Sequence, residues 1–418
     1  MKRRSLKFNA LMQNKNLSFS IFNVAFNILK IKYFYLFFFL FLTTSALFSQ
    51  SKQVITGAEQ TEKYLPLLKG QRIALFSNHT GIVGNKHTLD ILLENKINVS
   101  LIFSPEHGFS GNTDAGEKVS SSIDDQTGIP IISLYDGKSQ KLLNEYFNSF
   151  DVIIVDIQDV GVRFYTYYIT MVRLMDKCAE QSKKMIIFDR PNPLGFYVDG
   201  PVLDMKYKSG VGWLPIPVVY GMTLGELALM VNGENWLSNQ KKCDVTVIKC
   251  LNYTHKTKYQ LPVAPSPNLP NMQSVYLYPS LCYFEATPIS LGRGTNKPFQ
   301  LYGHPNMKGY NFTFTPKSIA GAKNPPQLNR LCYGVDLSDI PQDEIFRKGI
   351  DLSYLIDAYQ NMNLDDFFFN PFFEKLIGVD SVRKMIESGK SADEIKTSWR
   401  SDLEKFKIQR KPYLLYEE

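Results

Sequence analysis

The sequence predicts an α/β protein: a doubly wound parallel sheet followed by a smaller α+β domain, with the active site in the cleft between them. Three observations predict it. Short apolar runs rich in Val, Ile and Phe recur near 72–77, 98–103, 130–135, 152–156 and 185–189, separated by helical stretches. Such runs read as parallel strands buried on both faces. Four of them end in dense polar clusters, and open α/β sheets bind ligands at the carboxyl ends of their strands. Beyond about residue 250 the texture changes to Pro- and Asn-rich turns, Tyr-rich segments and amphipathic helices, which marks a second unit. A cleft between two such units is the expected ligand site.

Taken in order, residues 1–50 carry a basic stretch, the apolar run Tyr33 to Leu42, and small residues near Ser45, Ala46 and Ser49. That pattern predicts a secretory signal peptide cleaved near Ser49 or Gln50, or an N-terminal anchor if it is left in place. The apolar stretch to Phe48 is short for a spanning helix, and no Cys follows it to accept a lipid. Export from the cytoplasm is the expectation. Residues 51–250 form the sheet domain. Its clearer helices are Lys86 to Asn95 and Ile169 to Ser182. Thr223-Leu224-Gly225-Glu226 is a capping box ahead of another helix, and 244–249 is the last strand. No G-x-G-x-x-G follows the first strand, so a dinucleotide fingerprint is absent. Residues 251–418 form the second domain, with helices at 351–362, 380–388 and 392–406.

The formal charge of +7 misleads. Residues 1–50 hold seven Lys or Arg and no acid, which leaves 40 basic against 40 acidic residues in the remainder. No basic footprint for nucleic acid survives. Membrane contact is expected only through the first fifty residues, if they are uncleaved. The five Cys (178, 243, 250, 282, 332) include no C-x-x-C pair and read as buried structural thiols. A 243–250 disulfide is the one pairing left open. A catalytic metal on His79, His87, His107, Glu106 and Asp156 is disfavoured, because no H-x-x-x-H or H-x-H spacing occurs. No G-x-S-x-G elbow points to a serine hydrolase.

The sharpest cluster is Ser104-Pro105-Glu106-His107-Gly108. A Glu at a strand end beside His and Gly suits a general acid; equally, Glu106 caps a helix or pairs with an Arg. Asp114, Gly116 and Glu117, then Asp124 and Asp125, supply further carboxylates or simply a solvated acidic loop. The run Asp156, Gln158, Asp159, Arg163, Tyr165, Thr166 and Tyr167 suits stacking on and hydrogen bonding to a sugar ring, while Phe164 and Tyr168 read as core. Asp189-Arg190-Pro191-Asn192-Pro193 is a rigid loop presenting Arg190 and Asn192, or an Asp189–Arg190 ion pair. Asn78 and His79 in Asn78-His79-Thr80-Gly81 contact a ligand or brace the turn.

In these motifs (FSNHTG, FSPEHGFSGNTDAGE, DIQDVGVRFYTY, FDRPNPLG, PSPNLP, LCYFEATPISLGRGT) the chain resembles the exo-β-N-acetylmuramidases of glycoside hydrolase family 171. The resemblance runs from about residue 55 to the C-terminus in the same order. It implies a Rossmann-like domain followed by an α+β domain. It also implies removal of terminal N-acetylmuramic acid from the non-reducing end of peptidoglycan fragments, without a cofactor. Glu106 inherits the catalytic acid role. Glu117, Asp114 and Asp156 are candidates for the second carboxylate, unless the substrate's 2-acetamido group takes that part. Asn78, His79, His107, Tyr165, Asn192, Asn268 and Glu285 are candidate sugar contacts. The lactyl carboxylate of the sugar calls for a cation, preferably an Arg fork: Arg163 and Arg293 rank above Arg190. Where many relatives have an acid before Gly-Arg-Gly-Thr, this chain has Leu291. Two rivals stand beside this: a non-catalytic muropeptide-binding protein, and a metal-dependent hydrolase of another amino-sugar bond.

Overall fold

The computed structural model describes residues 53–418 except 112–113, 115–116, 118–119, 135–143, 239 and 365–366, together with Lys30 and Lys32. The leader, Gly116 and the end of the 130–135 run lie outside the described residues. Val54 to Glu418 form one unit.

Seven strands make the central sheet: β1 (Arg72–Ser77), β4 (Asn98–Ser104), β5 (Ser122–Ile123), β6 (Pro130–Ser133), β7 (Val152–Asp156), β8 (Lys184–Phe188) and β9 (Asp244–Ile248). Between β1 and β4 sits a two-stranded hairpin of β2 (Ile82–Val83) and β3 (Lys86–His87). The sheet order is β5-β6-β4-β1-β7-β8-β9. All pairs are parallel except the short edge strand β5 against β6. Leaving β5 aside, the chain steps outward from β1 to β6 and then restarts at β7 on β1's other side. That is the doubly wound order, and its switch point lies at β1 and β7.

Successive residues of a strand point to opposite faces. Ile73, Leu75, Val152, Ile154, Ile186 and Phe188 accordingly pack in one apolar cluster with Tyr64, Leu68 and Leu92. Ala74, Phe76, Ile153, Val155, Met185 and Ile187 pack in the other. The second cluster continues through the helix Tyr167–Gln181 into Tyr276, Leu281, Phe284, Phe373 and Trp399 of the C-terminal half. The two halves therefore share one continuous core. The C-terminal half adds a three-stranded antiparallel sheet, β10 (Leu301–His304), β12 (Cys332–Asp336) and β11 (Phe312–Phe314) in that order, and short helices.

Three sequence expectations shift. The helix expected from Lys86 begins at Thr88, because Lys86 and His87 pair back to β2 and His87 Nδ1 accepts the Leu89 N–H as a cap. The 392–406 helix is two, Ala392–Ser398 and Arg400–Arg410. They break at Trp399, whose buried indole donates to Asp199 Oδ1 at 3.1 Å. All five Cys are free and buried, and Cys250 Sγ donates to the Asp189 carbonyl, so the 243–250 pairing is not formed. The capping box at Thr223 has both of its bonds.

Two fully buried carboxyls carry a pH signature. Burial pushes Asp159 up to about 6, against lowering bonds from the Gly161 N–H and the Tyr220 hydroxyl. It pushes Asp189 up to about 6 as well, although Tyr416, Thr223 and Gly225 donate to it. Each folded value lies above the ordinary 3.8. The stability these groups contribute is thus full below about 3.8 and is lost as pH rises through about 6. Melting followed between about pH 4.5 and 7.5 should show the parent losing more Tm with rising pH than Asp159→Asn does. Parallel curves for the two proteins would remove Asp159 from this account.

Candidate active site

The crevice at the switch point is filled. Ser77 and Asp156 sit side by side at the ends of β1 and β7, both fully buried. Asp156 is bound by Arg190, Nε to Oδ1 at 2.6 Å and the second contact to Oδ2 at 3.1 Å, and Thr88 donates to Oδ2 at 2.5 Å. Asn78 Oδ1 accepts from the Thr80 N–H and hydroxyl, while its Nδ2 donates to the Tyr167 hydroxyl. Asn192 bonds Met222 O and the Leu194 N–H. His79 Nε2 lies 2.8 Å from Ala264 O, and its ring packs so close under Gly111 that a Cβ there would meet Nδ1 at 1.9 Å. Burial lowers the pKa of this imidazole. These side chains are spent on one another and on loop backbone, a network that holds the loops in register.

The open cavity lies beside this plug, past the end of β4. It measures about 680 Å³ and draws its walls from both halves of the chain. Glu106 and His107 enter it from a turn closed by the Gly108 N–H donating to Pro105 O. His107 occupies the third position of that turn at φ 71°, where a positive φ usually calls for Gly or Asn. The strained position places two consecutive side chains on the cavity wall. Thr166, which precedes the helix Tyr167–Gln181, makes no cap bond to that helix; its hydroxyl donates instead to Glu106 Oε2 at 2.8 Å. An unmade cap costs about 1 kcal/mol, and here the hydroxyl fixes the carboxyl's orientation.

Tyr165 and Tyr167 pack edge to face, and Tyr165 donates to Pro265 O at 2.9 Å. This carries the loop that bears Ser266 and Asn268 onto the cavity. Asn268 Nδ2 holds Gly321 O at 2.9 Å. Glu285 and Arg293 face the cavity as an ion pair at 2.6 Å, with the guanidinium 5.0 Å from the centroid of the Phe299 ring. The flanking glycines of Gly292-Arg293-Gly294 have φ of 85° and 80°, and a Cβ on either would meet a carbonyl oxygen at 2.6 or 2.5 Å. No other residue fits those two positions, which explains the motif. A third wall joins Asp114 and Glu117 to Lys323: its N–H donates to Asp114 Oδ2 at 2.6 Å, and its Nζ lies 2.8 Å from Glu117 Oε1. That ammonium holds the exposed Glu117 carboxyl below its ordinary range.

Of the candidate residues, Glu106, His107, Asp114, Glu117, Tyr165, Asn268, Glu285 and Arg293 converge on this cavity. Six do not line it: Asn78, His79, Asp156, Arg163, Arg190 and Asn192. Arg190 pairs with Asp156, and Asp189 bonds Tyr416, Thr223 and Gly225 instead. Arg163 is wholly buried and donates to the carbonyls of Pro201, Ile216, Leu376 and Ile377, so it braces the fold. Leu291 lines the cavity as a buried apolar side chain. Thr166, read in the sequence as one member of the polar-aromatic run after β7, and Lys323, which the sequence did not single out, both belong to the site. Thr166 carried a signal, a hydroxyl just ahead of a helix, whereas Lys323 meets Glu117 across 206 residues, with no local sign. Among the described residues no group of three His, Cys, Asp or Glu is placed to hold a metal ion.

Comparison with known proteins gives a consistent picture. Residues 73–273 match the family model "Exo-beta-N-acetylmuramidase NamZ, N-terminal", and residues 276–416 match its C-terminal counterpart. The peptidoglycan beta-N-acetylmuramidase NamZ of Bacillus subtilis is 39% identical over 373 residues, spanning 84% of this chain and 89% of that protein. Two crystal structures of DUF1343 family proteins from Bacteroides fragilis superpose well. One is 67% identical, with a TM-score of 0.83, covering 88% of this chain and 100% of the other. The second is 28% identical with a TM-score of 0.72, covering 87% and 99%.

Proposed function

The chain belongs to the exo-beta-N-acetylmuramidase NamZ family, and we propose that it hydrolyses the bond joining a terminal, non-reducing N-acetylmuramic acid to the rest of a peptidoglycan fragment. The observation that carries the assignment of chemistry is Glu106, presented by a strained turn into the shared cavity and oriented by Thr166. A carboxylic acid in that position protonates the glycosidic oxygen as the bond to the sugar breaks. Lys323 keeps Glu117 ionised, which suits the second carboxylate of such a site and not the acid. Whether Glu117 meets the sugar directly or orients its acetamido group, the need is for a negative charge opposite the acid. Asp156, locked to Arg190, has no part in this.

Arg293 is the cation for the lactyl carboxylate. Its contact with Glu285 engages one end of the guanidinium, and Arg presents five N–H donors in a planar fork. Arg293→Ala should lower kcat/KM on a β-N-acetylmuramide by about 10- to 100-fold, as expected for a hydrogen-bonded charge pair, with a much smaller effect on the matching N-acetylglucosaminide. Competition kinetics with the two sugars read this directly. A variant that still prefers the muramic sugar to the parent's extent would remove Arg293 from that role.

The direct test of the activity is release of N-acetylmuramic acid from a chromogenic β-muramide by the purified chain. Turnover is expected. A folded chain that binds the sugar without turnover would make it a binding protein. We extend the proposal to location: the basic and apolar pattern of residues 1–50 supports export, with action in the periplasm or outside the cell, where peptidoglycan lies. A mature N-terminus read by mass spectrometry near Ser49 or Gln50 is the expected result.

A further inference from the structure

A second cavity of about 660 Å³ opens beside the first, and the two share Thr166, Val211 and Phe372 in their walls. Thr166 is the residue that holds Glu106. A general acid protonates the oxygen that joins the departing group to the sugar. That oxygen must therefore lie at Glu106, with the two parts of the substrate on either side of it. When the terminal sugar fills the first cavity, the continuation past Thr166 enters the second.

The chemistry of the second cavity fits such an occupant. One wall is a stripe of the helix Tyr167–Gln181, where Thr170, Arg173 and Lys177 recur at helical spacing. The opposite face of that helix, Tyr168, Met171, Val172 and Met175, is core. Lys375 stands on the helix Phe372–Ile377, and Trp213 supplies a half-buried aromatic surface, backed by Lys208 Nζ at 3.9 Å from its ring centroid. Asp176, the acid in the lining, accepts from the Ser238 N–H at 2.7 Å. Lys177 is ion-paired with Glu180, so Arg173 and Lys375 give the cavity its positive excess over Asp176; with an indole in the wall, this suits a sugar ring followed by a carboxylate.

We propose that this second cavity is the leaving-group subsite: Trp213 packs against the amino sugar that follows the terminal residue, and Arg173 and Lys375 take up the carboxylate of the next muramyl unit. The proposal rests on the glycosidase reading above. Its consequence is that the enzyme measures the length and charge of what it releases.

The test compares kcat/KM on an aryl β-muramide, whose leaving group fills little of the second cavity, with kcat/KM on a soluble peptidoglycan fragment carrying a second muramyl unit. In Trp213→Ala the fragment-to-aryl ratio should fall about tenfold, the scale of a lost aromatic contact. In Lys375→Glu, a change at an exposed position that spares the fold, it should fall about threefold, the scale of an exposed charge pair. A ratio unchanged in Lys375→Glu and in folded Trp213→Ala would overturn the subsite while leaving the glycosidase intact. A parent chain inactive on the aryl muramide would overturn the glycosidase reading, and this subsite with it.

Discussion

Glu106→Gln should lower kcat on a peptidoglycan fragment by about 10²- to 10⁴-fold, the range for removing a positioned general acid, with binding of N-acetylmuramic acid changed only a few-fold. The substitution keeps the size and planarity of the side chain, and the amide oxygen can still accept the Thr166 hydroxyl that now holds Oε2 at 2.8 Å. What is lost is the proton for the departing oxygen. That predicts a graded effect: a nitrophenyl leaving group needs little protonation, so the variant should lose far less activity on a nitrophenyl muramide than on a sugar leaving group. Steady-state kinetics on the two substrates check this. Equal losses on both would show that Glu106 acts in some other way, and full retention on both would move the acid elsewhere.

Arg163→Met should destabilise the protein by about 4 kcal/mol or more, enough to deplete the folded state at 37 °C. The guanidinium reaches Pro201 O at 2.7 Å, Ile216 O at 2.8 Å, Leu376 O at 3.0 Å and Ile377 O at 2.7 Å. Leu376 and Ile377 end the helix Phe372–Ile377, where carbonyls lack partners along the chain and the helix dipole favours a cation. Gly378, at φ 90°, makes room: a Cβ there would meet the guanidinium at 2.5 Å. Burial without a carboxylate pushes Arg163 down to about 10, so it remains charged at neutral pH. Removing it leaves three buried carbonyls, those of Pro201, Leu376 and Ile377, unpaired, each costing about 1–3 kcal/mol before relaxation, while Ile216 O keeps the Leu203 N–H. Urea unfolding measures the loss. A change below about 1 kcal/mol would show that water replaces the guanidinium, the scale of an ordinary single substitution. Arg163→Lys should recover only part, because a point ammonium cannot span carbonyls from three segments.

The two predictions mark the boundary between what the residues disclose alone and what they disclose only when folded. Strands were legible because their signal is local. Ile73-Ala74-Leu75-Phe76 and Val152-Ile153-Ile154-Val155 are continuous apolar runs, and burial on both faces of a parallel sheet demands such runs. The helix break at Trp399 was not legible, since the indole's partner Asp199 lies 200 residues away. In the site, Glu106 stood out because a strand end, a Pro and a Gly frame it in five consecutive residues.

The arginines show the other side. Arg163, Arg190 and Arg293 each sit in a polar cluster after an apolar or turn segment, and nothing within ten residues of any of them separates a ligand contact from a brace. Tertiary structure gave Arg190 to Asp156, Arg163 to four carbonyls, and Arg293 to the cavity wall beside Glu285. It also brought Lys323 to Glu117 and set Thr166 between two cavities. Sequence alone determined the sheet, the strand end that carries Glu106 and the family; only the fold decided which charges line the cavity. The physical reason is range. Backbone periodicity and turn chemistry act over a few residues, whereas a buried charge is assigned by whichever partner, from anywhere in the chain, satisfies it at hydrogen-bond distance.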